Sequence, residues 1–239
     1  MDALFIRNLE NHGSLSPEEK DALAGAVTRV RDYAPREDIV RDGQKPTESC
    51  TIIEGFACRY KVLDDGRRQI MAFHIPGDLP DLHGFLLGMD HSLGTLTACK
   101  IGFIPHGALR DITERYPNLA RVLWRMTLID GAIFREWMVG MGRRSAYERI
   151  AHVLCEVLLR LKAVGLAQAY SYELLVTQAE LADALGLSVV HVNRVLQRLR
   201  REGIITLKGR SLVINDWERL QAAAEFDPSY LHLGEGARR

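Results

Sequence analysis

The sequence predicts an α+β fold: an N-terminal antiparallel β-roll, a long helix and a C-terminal winged helix-turn-helix. Three observations lead to this prediction. Short alternating segments with glycine-rich turns fill the first half of the chain, helical periodicity takes over after Pro105, and two short capped helices followed by two short strands lie near the C-terminus. The expected boundaries are residues 1–116 for the roll, 117–142 for the long helix and 143–239 for the last domain.

The composition is that of a globular protein. Of 239 residues, 47% are hydrophobic and 26% are charged, which excludes wholesale disorder. No apolar run approaches the roughly 18 residues that a membrane span needs, and the N-terminus lacks the apolar core of a secretory signal. We therefore expect no contact with a membrane and a cytoplasmic location, where the scattered cysteines stay free thiols.

The first 35 residues are expected to be helical. Ser16 fits the N-cap of a helix, Pro17 its first position and Glu19 its third, which is the pattern of a capping box. Leu23 would face inward from this helix.

Strands are predicted from Ile39 onward. Residues 56–63 and 68–75 alternate around an Asp-Gly turn at residues 64–66, which is the pattern of a β-hairpin. Residues 94–104 predict one further strand. Several short strands with turns between them favour an antiparallel sandwich or roll.

A long helix is predicted to begin at Pro117, after a short helix over residues 106–115. Its apolar residues recur at spacings of three and four over two heptads, as in the seam of a coiled coil. This seam either packs on its own domain or forms a two-stranded dimer contact, and a second apolar face containing Leu123, Leu128 and Trp137 favours the dimer. The predicted dimerisation residues are Leu119, Val122, Met126, Ile129 and Ile133.

Gly140 and Gly142 mark the expected start of the last domain, because two glycines loosen a helix and the charge balance changes there. Residues 143–210 contain eleven Lys/Arg and six Asp/Glu, a net charge of +5, whereas the remainder contains 20 and 25, a net charge of −5. A basic third joined to an acidic remainder is typical of a nucleic-acid-binding module attached to another domain. A helix is expected over residues 145–164, and the tail from Pro228 is expected to be loose.

A helix-turn-helix is predicted over residues 177–201. Thr177 fits the N-cap of the first helix, and Glu180 at its third position completes a capping box. Gly186 would end that helix, and Ser188 would cap a second helix that runs to the end of the segment.

The second helix would present its outer face to base edges in the major groove of DNA. Arg194 is the expected reader of guanine through a bidentate contact to O6 and N7, and Val190 offers apolar contact to a thymine methyl. Lys208 and Arg210, at the tip of a wing formed by residues 204–214, would lie along the phosphate backbone. The alternative is a basic face that is merely solvated. The predicted DNA-binding residues are Thr177, Gln178, Ser188, Val189, Val190, His191, Asn193, Arg194, Gln197, Arg198, Lys208 and Arg210.

Three stretches carry a resemblance to a known family: residues 53–55 (Ile-Glu-Gly), 76–78 (Pro-Gly-Asp) and 186–194 (Gly-Leu-Ser-Val-Val-His-Val-Asn-Arg). With them the chain resembles the Crp/Fnr superfamily of bacterial transcription regulators, and within it a non-cyclic-nucleotide branch that is mostly alphaproteobacterial. The resemblance covers nearly the whole chain. It implies a homodimer that binds a palindromic site in double-stranded DNA, under control of a cyclic-nucleotide-binding-like sensing roll, and that works with RNA polymerase.

No cofactor is predicted. Cyclic-nucleotide members of this family hold the cyclic phosphate with an arginine, and none occurs between Arg68 and Arg110, so cyclic AMP is not expected. The first cysteine is Cys50, so the N-terminal cysteine group that the iron–sulfur branch uses is missing. The histidines of the roll form no H-x-x-H pair, which supports neither haem nor a metal site. They are His74, His83, His91 and His106.

Two other classes of function compete with a DNA-binding regulator. One is a small-molecule, haem or redox sensor that acts mainly through protein partners and keeps a vestigial DNA-binding domain, against which the intact caps and Arg194 argue. The other is an enzyme with a cupin-like cavity, which needs a His/Glu metal triad on facing strands. Only His74 is clearly placed on a strand, so no enzymatic activity is expected.

Overall fold

The computed structural model describes residues 3–234, and contacts divide the chain into two compact units. The first unit comprises the chain up to residue 61, residues 71–131 and the stretch after residue 231. The second comprises residues 62–70 and 132–231.

Helices and strands follow the predicted order of a strand-rich half and a helix-rich half. The α-helices are α1 (Ala3–Glu10), α2 (Pro17–Ala26), α3 (His106–Arg115), α4 (Pro117–Arg143), α5 (Ala146–Val164), α6 (Gln178–Leu185), α7 (Val189–Arg201) and α8 (Trp217–Ala223). The strands are β1 (Arg29–Tyr33), β2 (Asp38–Val40), β3 (Glu48–Glu54), β4 (Ala57–Val62), β5 (Arg68–His74), β6 (Ser92–Thr95), β7 (Cys99–Pro105), β8 (Ser171–Glu173), β9 (Ile205–Lys208) and β10 (Ser211–Ile214). Single 3-10 turns occupy Leu82–Phe85 and Pro228–Leu231.

Two sheets form the roll, with strand orders β1-β7-β3 and β2-β6-β4-β5. Strands β1 and β3 pair antiparallel with β7, and β2 and β4 pair antiparallel with β6. Ile52 and Ile101 are register partners across β3 and β7, and both are fully buried in a core that also contains Leu93. A second core joins the helices of this unit, where Leu9, Leu23 and Leu109 are buried together. The predicted α+β class and roll are therefore present.

The second unit surrounds α5, a helix that is buried along most of its length. Ser145 and Glu148 form the capping box at its start, and Gly165 ends it in the left-handed conformation with φ 80°. A three-stranded sheet with the order β8-β10-β9 and the helices α6, α7 and α8 complete the unit.

Several local predictions are confirmed by the structure. Ser16 and Glu19 make the expected capping box at α2, with Pro17 at the first position, and Leu23 is fully buried. The hairpin over β4 and β5 and the predicted short helix α3 also form.

The prediction that residues 1–35 are helical is wrong for Arg29–Tyr33, which forms β1. Four of its five residues are exposed, so the segment lacks the alternation of apolar and polar residues that predicts a strand. Its pairing with β7 decides its conformation. The single strand predicted over residues 94–104 is likewise two strands, β6 and β7, which belong to different sheets.

The glycines of the expected domain boundary do not interrupt α4, which continues through Gly140 and Gly142 to Arg143. A glycine inside a helix costs only about 1 kcal/mol relative to alanine, and buried neighbours such as Trp137 offset such a cost. The tail is also more ordered than expected, because the Tyr230 hydroxyl donates to Glu156 at 2.8 Å. Residues 235–239 of that tail lie outside the described residues.

Candidate nucleic-acid interface

The turn between α6 and α7 is built by the side chains that the sequence singled out. Thr177 Oγ1 accepts from the Glu180 backbone N–H at 3.2 Å, and Glu180 Oε2 accepts from the Thr177 N–H at 2.6 Å. Gly186 ends α6 in the left-handed region with φ 62°, and Ser188 Oγ then accepts from the His191 N–H at 3.3 Å. The three hydrogen bonds satisfy helix-end N–H groups, and with the turn at Gly186 they fix where α7 begins.

The inner face of α7 is apolar and packs on α5 and α6. Val192, Leu196 and Leu199 are buried on this face, while Val195 is half-buried. Since helix faces are set by a period of 3.6 residues, burial of these positions leaves the opposite side of α7 to solvent.

Arg194 lies on the solvent side of α7, and the structure gives it no hydrogen bond or ion pair within residues 3–234. Val190 is 58% exposed, and Val189 and His191 are exposed beside it. An exposed guanidinium with no acceptor of its own, next to apolar and imidazole groups at a helix N-terminus, is suited to reading base edges.

Three of the predicted DNA-binding side chains are joined to one another. Asn193 Nδ2 donates to Gln178 Oε1 at 3.1 Å, and Gln197 Nε2 donates to Asn193 Oδ1 at 2.9 Å. This amide chain links the start of α6 to the middle of α7. The geometry shows that these residues fix the relative placement of the two helices, and their contact with DNA stays a prediction.

Arg198 is held by its own unit. Its Nε donates to Glu202 Oε1 at 2.7 Å, and its guanidinium lies 4.2 Å from the ring centroid of Tyr147. A contact of Arg198 with DNA would have to compete with both interactions, which distinguishes it from Arg194. Arg201 is also exposed, seven residues after Arg194 on the same side of α7, and its spacing is the signal that adds it to the candidate surface.

The wing forms as predicted between β9 and β10, shifted by one residue from the expected strand ends. Lys208 and Arg210 flank Gly209, whose φ of 59° makes the tight turn. Both basic side chains are exposed, and no ion pair among the described residues holds them. The wing tip therefore presents two free cations, as a phosphate-contacting loop requires.

The face of α4 that was predicted for dimerisation is mostly buried within the chain. Met126 is half-buried, and the other predicted residues are no more than 9% exposed, so little of their surface is left for a partner and their role in dimerisation stays a prediction. The heptad spacing identified an apolar face, but it could not tell which of the two faces of α4 packs against the rest of its own chain, because both contain apolar residues. The buried residues are Leu119, Val122, Ile129 and Ile133.

A different apolar face of α4 lies in solvent. Its members are large hydrophobic residues that keep 41–66% of their surface exposed. They are Trp124 at 66% exposure, Leu128 at 56%, Phe134 at 44%, Met138 at 60% and Met141 at 41%. Exposed apolar groups in such a row are typical of a surface that meets another molecule.

The polar interior of the roll contains the Arg59 guanidinium, whose two terminal nitrogens are hydrogen-bonded while its buried Nε has no partner among the described residues. Arg59 donates from Nη1 to Asp130 at 2.7 Å and from Nη2 to the Pro80 carbonyl at 2.6 Å. Nearby, the buried carboxyl of Asp81 accepts from the Cys50 N–H at 2.8 Å, and burial raises the pKa of Asp81 to about 7. The hydrogen bonds of Arg59 and Asp81 fix the chain around residues 80 and 81 in the interior of the roll.

Histidines of the roll meet in a way that the sequence did not predict. His83, Asp90 and His91 each offer a ligand atom within 4.8 Å of those of the other two, and within residues 3–234 no other such group of three or more His, Cys, Asp or Glu is found. No motif spacing could reveal it, since seven residues separate the two histidines. The four cysteines are all buried thiols and none is in a disulfide within the described residues.

Comparison with protein-family models gives two matches. The model of the cyclic nucleotide-binding domain matches residues 30–116, and that of the Crp-like helix-turn-helix domain matches residues 148–223. In the described part of the chain, no helix combines the length and apolarity needed to cross a bilayer.

Similar proteins cover nearly the whole chain. The transcriptional activatory protein AadR of Rhodopseudomonas palustris is 31% identical over 225 residues, which are 92% of this chain and 90% of AadR. The nitrogen fixation regulation protein FixK of Bradyrhizobium diazoefficiens is 32% identical over 200 residues, 80% of each chain. The solved structure of FixK2 from Bradyrhizobium japonicum is similar with a TM-score of 0.74 and 29% identity, covering 82% of this chain and 96% of that one.

Proposed function

Since the chain belongs to the Crp/Fnr family of transcription regulators, we propose that it binds a palindromic promoter site as a homodimer, under control of its roll. The family makes DNA its partner, and the relatives are named transcriptional regulators, not enzymes. A cytoplasmic location and contact with RNA polymerase at the promoter follow from the same proposal.

The observation that carries the proposal is the exposed Arg194, which has no partner among the described residues and lies on a helix capped at its start by Ser188. The preceding helix α6 is capped by Thr177 at its start and by Gly186 at its end. Base reading needs a side chain that is free to reach an edge and a backbone that is not free to move. In this proposal Arg194 and Val190 contact base edges. The wing residues Lys208 and Arg210 contact the phosphate backbone.

The homodimer is supported by the exposed apolar face of α4 that contains Trp124, Leu128 and Met138. Two copies that pack these faces about a two-fold axis would each present one α7 to the DNA. Recognition helices of such a pair enter successive major grooves about 34 Å apart, so the bound site is expected to be a palindrome.

We expect the roll to respond to something other than cyclic AMP. A cyclic phosphate in a buried site needs a free cation, and Arg59 already donates hydrogen bonds to Asp130 and to the Pro80 carbonyl. No arginine occurs between Arg68 and Arg110 to replace it. An iron–sulfur cluster finds no support either, since the first cysteine is Cys50, and haem finds none because the histidines of the roll form no H-x-x-H pair.

Selection of bound duplexes from a random pool by the purified chain tests the proposal. The expected result is one palindromic consensus, whose half-site centres lie one helical turn apart. The alternative function, a sensor that acts through protein partners with a vestigial DNA-binding domain, predicts no consensus. A consensus without two-fold symmetry would contradict the dimer and retain the DNA binding.

A further inference from the structure

We propose that His83 and His91 of the roll bind a divalent transition-metal ion, with Asp90 positioning His91. The ring centroids of the two histidines lie 4.8 Å apart at a tilt of 34°. His83 lies on the 3-10 turn Leu82–Phe85, and His91 immediately precedes β6. A bound ion would therefore tie two segments of the roll to each other.

The Asp90 carboxylate fixes the tautomer of His91. Asp90 Oδ1 lies 2.6 Å from His91 Nδ1, and an ionised carboxylate only accepts hydrogen bonds, so Nδ1 carries the proton. The lone pair of the neutral ring is then on Nε2. A carboxylate on the far nitrogen is the arrangement that orients metal-binding imidazoles in proteins and raises their basicity.

The Nε2 atoms of both rings are buried, and neither has a hydrogen-bond partner among the described residues. A buried polar atom without a partner costs about 1–3 kcal/mol. Neutral imidazole is the form that binds metals, and on each ring the buried Nε2 is a nitrogen that no described residue occupies. One shared ion would satisfy both nitrogens.

The charges around the site permit a cation. The positive charge of Arg59 acts on both histidines, and it is balanced by Asp130 at 2.7 Å. Asp90, whose side chain is 80% exposed, adds a negative charge beside the site. Two imidazoles with a nearby carboxylate suit Zn²⁺, Co²⁺ or Ni²⁺ more than Mg²⁺ or Ca²⁺ and leave positions open for water.

The test is a calorimetric titration of the full chain with Zn²⁺, after purification without a histidine tag and removal of metal by a chelator. We expect one ion per chain with a dissociation constant in the micromolar range or tighter. His83→Gln and His91→Gln should each abolish this binding, and Asp90→Asn should weaken it by about 10–100-fold. The matched control is His106→Gln, because His106 Nε2 already bonds Ser49 Oγ at 3.2 Å, and its binding should equal that of the wild type.

Circular dichroism and melting of the metal-free variants show whether each one folds, so a loss of binding can be separated from a loss of structure. Equal Zn²⁺ affinity of the wild type and the His83→Gln/His91→Gln double variant would overturn the proposal. A wild-type chain that binds no Zn²⁺ at micromolar concentration would overturn it too. The readout is ion binding alone, so it does not depend on whether the chain binds DNA.

Discussion

Among the described residues Arg194 has no intramolecular acceptor, whereas Arg198 of the same helix is bound by Glu202 and stacked on Tyr147. We expect Arg194→Ala to lose site-specific binding while keeping weak, salt-sensitive binding through the remaining cations. A bidentate contact to guanine is worth about 1–3 kcal/mol, so each half-site should lose about 10–100-fold in affinity. Fluorescence anisotropy on the selected palindrome and on a scrambled duplex measures both modes.

The matched control for this variant is Arg110→Ala, which removes the same charge from an exposed position on α3. Its affinity for both duplexes should match that of the wild type. If Arg194→Ala binds the palindrome with unchanged affinity, Arg194 does not read the bases.

His152 is a buried residue of α5 whose ring nitrogen Nε2 lies 3.0 Å from the Tyr230 hydroxyl. Burial, with Arg144 nearby, lowers its pKa to about 4, below the roughly 6.5 of an unfolded chain. As the pH falls, the unfolded state therefore takes up the proton before the folded state does. The contribution of neutral His152 to the free energy of unfolding is complete above pH 6.5 and is lost as the pH falls toward 4. Between pH 7 and pH 5 the loss should be about 2 kcal/mol.

Urea unfolding at the two pH values measures this loss, and His152→Gln should reduce it because glutamine takes up no proton. The exposed His191→Gln is the control and should keep the wild-type difference. An equal pH dependence in the wild type and His152→Gln would exclude His152 as its source.

At the scale of elements, local chemistry made α2, α6 and α7 predictable. Each begins with a side chain that satisfies its own helix N-terminus, such as Ser16, Thr177 and Ser188, and that interaction spans three residues. Strand β1 was not predictable in the same way, because its exposed residues gain their conformation only from β7, about 70 residues away along the chain.

The two candidate sites differ in the same way, because local spacing places one of them and tertiary contact places the other. The DNA-reading face lies on one capped helix, so periodicity alone placed Arg194 and Val190 in solvent. The His83 and His91 pair depends on how a 3-10 turn meets the start of β6, which no residue spacing encodes. The stacking of Arg198 on Tyr147 is also a tertiary contact, whereas its ion pair with Glu202 is a local contact four residues along the chain.

At the scale of the whole molecule, the zero net charge conceals a basic segment over residues 143–210 and an acidic remainder. The basic part contains α7 and the wing, whose free cations Arg194, Lys208 and Arg210 all belong to one unit. One such unit offers few phosphate contacts, and specific affinity grows when a second copy contributes an equal set. The molecule that binds a promoter is therefore expected to be the pair.

In the proposed homodimer the exposed apolar face of α4 joins the two copies, so Leu128→Glu with Met138→Glu should produce monomers. About a two-fold axis each new carboxylate would be buried near its own symmetry copy, and unpaired buried charge is strongly unfavourable. We expect the dimer dissociation constant to rise by at least about 100-fold, equivalent to about 2.7 kcal/mol. The matched control, Leu86→Glu, adds a carboxylate at a 79% exposed leucine of the roll and should remain dimeric. Light scattering measures the mass, and a double variant that keeps the dimeric mass and binds the palindrome as tightly as the wild type would show that another surface joins the two copies.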